Sequence, residues 1–235
     1  ELAFNESMAL RLEGALDVVA LRHALQTVWS RHEAFRLSFA ADGKSQRIND
    51  DTPLPLAEMD YAGYGDEAQT RFTAYCEAQM GLPFDTTRAP LVRFSLVRLG
   101  ERSHGLHVIS HHLVMDGWSV AVFMDELASC YSAAVAGRAP VLPVAESFRA
   151  YVLDERSRQT RTQASELDYW KAIYATPPAA LQLPGDHPQA APDFAAATER
   201  HAFSPALTIA LKQEARRLGV SLYSRLLAGF GAGIS

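Results

Sequence analysis

The stretch LVRFSLVRLGERSHGLHVISHHLVMDGWS (Leu91–Ser119) decides how this chain is read. Two runs of alternating apolar and polar residues flank Gly100 to Gly105, which is the pattern of a β-hairpin. The second run leads straight into two adjacent histidines, His111 and His112, followed by Asp116 and Gly117. Helical spacing then resumes at Trp118 and continues through Val122, Phe123, Leu127 and Tyr131 to a glycine stop at Gly137. A strand therefore delivers chemically capable side chains to the start of a helix.

Upstream, Val18, Leu21, Leu25, Val28 and Trp29 recur at helical spacing behind Asp17, a plausible N-cap, and the helix they predict ends near His32. Before it, Ser7–Gly14 alternates as a strand. After it, Ala34–Ile48 alternates around Asp42-Gly43 as a hairpin. A helix is predicted over Asp66–Met80 with Gly81 as its stop, and Pro83–Pro90 reads as a proline-bounded loop. Two further helices are expected, near Val144–Arg158 and Glu166–Tyr174. A proline-rich stretch over 175–194 reads as a boundary, followed by a short strand at Glu199–Ser204, a helix from Pro205 to Gly219 and a largely apolar final helix. Strands and helices joined by hairpins predict an α+β fold with a largely antiparallel or mixed sheet flanked by helices. The expected division is 1–180 and 181–235.

The 235 residues can bury a substantial core. A net charge of -5 without basic blocks argues against nucleic acid or an anionic membrane as partner. The sequence contains no apolar run long enough to span a bilayer, Glu1–Gly14 lacks the basic start and apolar core of a signal peptide, and Cys76 and Cys130 form no metal or disulfide pattern. A cytoplasmic setting is expected. Trp29, Trp118 and Trp170 read as core residues, and Met115 and Met124 as filler.

Adjacent residues of a strand point to opposite faces, so only one of His111 and His112 can face a given cavity. His112 shares its face with Val108 and Ser110; His111 shares its face with Ile109 and Leu113. Three readings are open at this level. A metal site would need a third ligand beside one histidine and Asp116, and the spacing supplies none. A polar strand end would have Asp116 capping the next helix. A general base or positioner would place a neutral imidazole beside a glycine that lets a substrate approach the backbone.

HHLVMDG, His111–Gly117, resembles the H-H-x-x-x-D-G signature of the condensation domains of nonribosomal peptide synthetases, in the chloramphenicol acetyltransferase-like superfamily. RHEAFRLSF (Arg31–Phe39), PFDTTRAPLVRFSLVRL (Pro83–Leu99), LDYWKAIYATPPAALQLPGDHP (Leu167–Pro188) and FSPALTIALKQEARRLGVSLYSRLLAGFGA (Phe203–Ala232) are similar to other segments of that family, in the same order. The resemblance implies a chloramphenicol acetyltransferase-like lobe. It implies amide-bond formation between an acyl or aminoacyl thioester on an upstream carrier protein and the amine of an aminoacyl group on a downstream one. Both substrates ride on phosphopantetheine arms, and no cofactor or metal is bound permanently.

Carried over residue by residue, His112 becomes the active-site residue and His111 an orienting one. Asp116 is expected to hold the motif through an ion pair with Arg31 or, failing that, Arg36, and Gly117 to turn its N–H toward the developing oxyanion. Relatives that form heterocycles carry aspartate where this chain has His111, and epimerising relatives place tryptophan later than Trp118, so plain condensation is the implied reaction. Three features depart from the family pattern. The usual opening segment is missing, Asp154 stands where tryptophan is common, and the motifs of the second lobe do not follow Ser235. The resemblance therefore implies a first lobe with the start of a second, inactive when isolated. A non-catalytic carrier-docking lobe and an acyltransferase for a free small amine are the alternatives.

Overall fold

The computed structural model of the chain describes residues 2–179 and 199–234. Strand β1 (Asn5–Glu13) turns at Gly14, whose φ of +115° favours glycine, into helix α1 (Val18–Arg31). Asp17 caps α1 by accepting the Ala20 N–H at 2.9 Å, and Leu21, Leu25, Val28 and Trp29 are buried as their spacing predicts. The short strands β2 (Leu37–Phe39) and β3 (Gln46–Ile48) pair as the expected hairpin. Strand β4 (Leu56–Asp60) and helix α2 (Ala68–Met80) precede the strands β5 (Val92–Gly100) and β6 (Ser103–His111). Helices α3 (Gly117–Val135), α4 (Phe148–Ile173), α5 (Pro205–Arg217) and α6 (Leu222–Ile234) follow.

The main sheet has the order β1-β6-β5-β4. Strand β6 lies between β1 and β5 and is antiparallel to both, whereas β4 joins β5 in parallel. This is the mixed, largely antiparallel α+β arrangement that the sequence predicts. Strand β4 was not foreseen: LAEMD lacks clean alternation, and a parallel edge strand has no tight turn to announce it.

Each face of the sheet has its own core. On one face Val92, Phe94, Leu96, Leu106 and Val108 meet α1 through Leu25, Val28 and Trp29 and α3 through Phe123, Leu127 and Cys130. Trp29, Phe35, Phe94 and Phe123 form its aromatic centre, with Phe94 stacked on Phe123 at 5.7 Å between centroids and Trp29 stacked on Phe35 at 5.7 Å. The Trp29 indole donates to the Thr52 carbonyl at 3.0 Å, which satisfies its buried N–H. On the other face Phe72 and Cys76 of α2 pack with Val97 and Leu99. Both cysteines are free and buried, and burial pushes the Cys76 thiol up to about 11.

Several expectations require correction. The two helices expected between Val144 and Tyr174 are one continuous helix, α4, because the polar run between them has good helix formers and no breaker. Glu199–Ser204 forms no strand. Trp29 is core as expected, but Trp118 is 81% exposed and Trp170 53% exposed. The 180/181 division lies outside the described residues. The chain forms two compact units, Glu1–Ala164 and Ser165–Ser235. In the second, Ser204 caps α5 by accepting the Leu207 N–H at 3.2 Å, Gly219 stops it at a φ of +67°, and α6 exposes Tyr223, Leu227 and Phe230. Among the described residues no helix is long and apolar enough to cross a membrane.

The fit of α2 against the sheet depends on Gly105. A Cβ built there would stand 2.5 Å from Phe72 Cζ, in a core where that ring is 3% exposed. Gly105→Ala is expected to destabilise the protein by about 1–3 kcal/mol, the usual cost of overpacking. Combining it with Phe72→Leu should cost less than the two changes summed, because they share one volume. Urea denaturation midpoints check both statements.

Candidate active site at the end of strand β6

The position of each histidine follows from the register of β6. Val92 and Glu6 both lie opposite Ser110, so the even-numbered residues of all three strands share the face covered by α1 and α3. The ladder ends at His111. That residue belongs to the odd-numbered face and is 7% exposed, with its ring against Phe4 at 5.8 Å and Phe84 at 6.4 Å. Its Nδ1 accepts the Leu113 N–H at 3.1 Å, and its carbonyl accepts the Val114 N–H at 3.0 Å, which closes the turn out of the strand. Burial holds the His111 imidazole below its ordinary range, and the neighbouring His112 adds to this. A neutral ring with an accepting Nδ1 fits that environment.

His112 lies just beyond the strand, on the even face. Its N–H donates to the Phe4 carbonyl at 2.8 Å, and its side chain is 48% exposed, with Nε2 at 3.1 Å from Glu6 Oε1. An open groove of about 590 Å³ lies over this end of the sheet, lined by Phe4, Phe84, Thr86, His111, His112 and Leu113. Sequence reasoning missed Glu6, Phe4 and Phe84. Their approach depends on long-range strand pairing, for which the local sequence carries no signal.

Asp116 is the N-cap of α3. Its Oδ1 accepts the Ser119 N–H at 2.8 Å and the Ser119 hydroxyl at 2.6 Å, and these bonds hold its carboxyl below the usual carboxylate range. The expected ion pair from Asp116 to Arg31 or Arg36 does not form, because both guanidiniums are engaged elsewhere. Arg31 Nε bonds Glu126 of α3 at 3.1 Å, with its Nη2 on the Pro143 carbonyl. Arg36 is 9% exposed and turns its Nη1 to the carbonyls of Trp29 and Ser30 at 2.7 and 3.2 Å, where it caps the last turn of α1.

The other residues of this segment complete a clamp. His32 Nε2 lies 2.7 Å from Glu126 Oε2. Burial pushes the Glu126 carboxyl up, but the hydrogen bonds from Arg31 and His32 outweigh it, and the net shift is downward. Glu33 accepts from Ser147 Oγ and the Arg149 N–H, both at 3.1 Å, at the start of α4. Arg31 and Arg36 thus brace the end of α1, and Asp116 is left to α3. Glu126, the centre of the clamp, was not read from the sequence, where it is one acidic residue on a helix.

Gly117 is the first residue of α3, where backbone N–H groups have no acceptor within the helix. A Cβ there would meet nothing within 4 Å. Nothing in the surrounding fold requires glycine at this position. Among the described residues no group of three or more His, Cys, Asp or Glu is arranged to hold a metal ion.

A family model described as "Condensation domain" matches residues 1–235. Chondramide synthase cmdD of Chondromyces crocatus is 33% identical over 97% of this chain, which spans 6% of that protein. Phosphinothricin tripeptide synthetase PhsC of Streptomyces viridochromogenes is 32% identical over 97% of the chain, here 22% of the relative. Among solved structures, the starter condensation domain of rhizomide synthetase RzmA aligns with a TM-score of 0.69 at 22% identity, over 75% of this chain and 43% of that one. The X-domain solved in complex with OxyB from teicoplanin biosynthesis aligns with a TM-score of 0.64 at 32% identity, over 77% and 40%. The chain therefore spans a small part of these curated relatives and less than half of each solved chain.

The strand that carries the site also makes the fold sensitive to acid. Burial lowers the basicity of His104, His107 and His111, with Arg98 adding to the effect at His104 and Arg93 at His107. Each imidazole is harder to protonate folded than unfolded, so the unfolded chain binds the extra protons. The stability that the neutral rings contribute is complete above about pH 6.5 and is lost as pH falls from there through the lower folded values. The urea midpoint is expected to drop between pH 7.5 and pH 5.5, and His107→Gln should flatten that dependence.

Proposed function

We propose, for a chain that belongs to the condensation-domain family, that it carries the histidine-bearing part of an amide-forming site in a nonribosomal peptide synthetase. An upstream carrier protein presents an acyl or aminoacyl thioester on its phosphopantetheine arm. A downstream carrier presents the amine. The amine attacks the thioester carbonyl beside His112, and the lengthened chain passes to the downstream carrier. The observation that carries this reading is the placement of His112. The more buried of the two histidines is used up in closing the turn, while His112 stands half-exposed at the mouth of the groove. A positioned imidazole base contributes roughly 10² to 10⁴ in rate, which suits a reaction whose acyl group arrives already activated.

The remaining site residues have supporting roles in this reading. His111 orients its neighbour through the turn. Asp116 fixes the first turn of α3, and Arg31 and Arg36 fix the helix ends around it. Gly117 leaves the backbone open so that its N–H can donate to the tetrahedral oxyanion. A second lobe forms the opposite wall of the substrate path, and the 43% share of the solved starter domain that this chain spans supports it. On this reading the first lobe alone turns nothing over.

A second reading has its own observation. The X-domain at 32% identity was solved as a complex with OxyB, a protein it binds, and this favours a lobe that docks a partner without catalysis. The two readings diverge at His112. With both loaded carriers and the synthetase that contains this chain, His112→Ala should lower product formation by about 10² or more while circular dichroism stays unchanged. Undiminished product would decide for docking. Gly117→Ala, whose methyl group meets open space in the fold, should leave stability intact and reduce turnover by less than His112→Ala does.

A further inference from the structure

Two strands reach past β6 to hold one turn. On the odd-numbered face of the sheet, Asn5 of β1 lies opposite His111 and Arg93 of β5 lies opposite Ile109, so the two side chains stand on either side of the motif strand. Both turn to the end of α2, where the last carbonyls have no partner within the helix. Asn5 Nδ2 donates to the carbonyls of Met80 and Leu82 at 3.0 and 3.1 Å. Arg93 Nη2 donates to those of Gln79 and Leu82 at 3.3 and 2.9 Å. The Leu82 carbonyl is thus held from both neighbours of β6.

The chain that leaves this point carries Phe84. The Arg93 guanidinium carbon lies 4.1 Å from the centroid of its ring, and the ring meets that of His111 nearly at right angles, 6.4 Å between centroids. Two residues further on, the Thr86 carbonyl accepts the Phe39 N–H at 2.8 Å. The segment from Leu82 to Thr86 is therefore fixed at both ends, and Phe84 stands between the fixed points as a wall of the groove beside His112. Phe4 and Leu113 line the same groove and are about half-exposed, while Thr86 and the two motif histidines supply its polar groups. Its volume of about 590 Å³ falls among those of small-molecule sites, roughly 300–1,000 Å³.

We propose that this groove receives the apolar part of a carrier-bound substrate, an acyl chain on the donor or a side chain on the acceptor, and that Phe84 sets the size it admits. Asn5 and Arg93 are positioning residues, which act by holding Phe84 in place. The assignment rests on the reading of His112 as part of an amide-forming site. His112 lines the groove itself, so a substrate that reacts beside its imidazole has its attached chain next to Phe4, Phe84 and Leu113. One methylene more or less in an apolar pocket changes selectivity by roughly 10- to 200-fold. Moving an aromatic wall acts on that scale.

The test is a set of single-turnover rates in the intact synthetase that contains this chain. Acetyl, butanoyl, hexanoyl and octanoyl donors are compared against one acceptor, and alanine, valine, leucine and phenylalanine acceptors against one donor. Phe84→Ala is expected to shift the rates toward the bulkier members of at least one series by about tenfold, and the series that shifts names the substrate in the groove. Phe84→Leu, a milder change at this partly buried position, should shift the same series in the same direction by less. Asn5→Ala and Arg93→Met, each with Phe84 present, should flatten the size preference of that series, and Arg93→Lys, which keeps a donor for the Leu82 carbonyl, should retain part of it. A merely structural role would slow every substrate alike, and that result for Asn5→Ala and Arg93→Met overturns their assignment. Unchanged size preference in both series for both Phe84 variants, beside an inactive His112→Ala, overturns the whole inference and leaves the amide-forming reading in place. If His112→Ala itself turns over normally, that reading and this inference fail together.

Discussion

The alternation of side chains along β6, held between β1 and β5, is the constraint on which the rest of the structure depends. The strand is buried on both faces, so every residue from His104 to His111 is committed to one core or the other. A slip of one residue would bring His107, which is fully buried on the α2 side, into the apolar core beneath α1 and α3 and would exchange the two motif histidines. The ring of Phe72 over Gly105 resists that slip, because only glycine fits beneath it. The same parity that separates the two cores makes His111 a buried structural ring and His112 an accessible one.

The helices are aligned to this strand by their ends. Asp116 starts α3, and Arg36 stops α1 from beneath its last carbonyls. Glu126 joins α3 to the end of α1 through Arg31 and His32, and Glu33 joins the same corner to the start of α4. A run of six residues, Arg31 to Arg36, thus reaches the end of α1, the middle of α3 and the start of α4. This accounts for a charged cluster at the end of an amphipathic helix without assigning any of its residues to chemistry. The arrangement also frees Asp116, whose carboxylate is satisfied within its own turn.

Much of this was legible in the sequence because it is local. Helix α1 announced its cap and its buried stripe, the hairpin of β5 and β6 its alternation, and the separation of His111 from His112 followed from strand geometry alone. What was not legible is long-range or two-bodied. Strand β4 pairs in parallel with a partner more than thirty residues away. Continuity of α4 depended on a run polar on all sides, which carries helical propensity without helical periodicity. Trp118 reads as core by residue type, yet it occupies the first turn of α3, where its side chain leaves the buried stripe formed by Phe123, Leu127 and Cys130. The partner of Asp116 was misread for a related reason: a resemblance names residue types in order, while the local cap won the carboxylate.

The electrostatics of the strand end follow from what meets there. The N-terminus of α3 carries the positive end of the helix dipole, which favours a developing oxyanion and opposes a developing cation. Asp116 and Glu6 supply two carboxylates on the other side of the balance, one fixed within the helix cap and one 3.1 Å from the His112 imidazole. The clamp at Glu126 adds no charge here, since its carboxylate is already met by Arg31 and His32. An amine attacking a thioester develops negative charge on the carbonyl oxygen and positive charge on the nitrogen at the same moment. On the proposed reading, backbone N–H groups at the start of α3 meet the negative charge and the His112 imidazole takes up the positive one, and the end of β6 sets the two side by side.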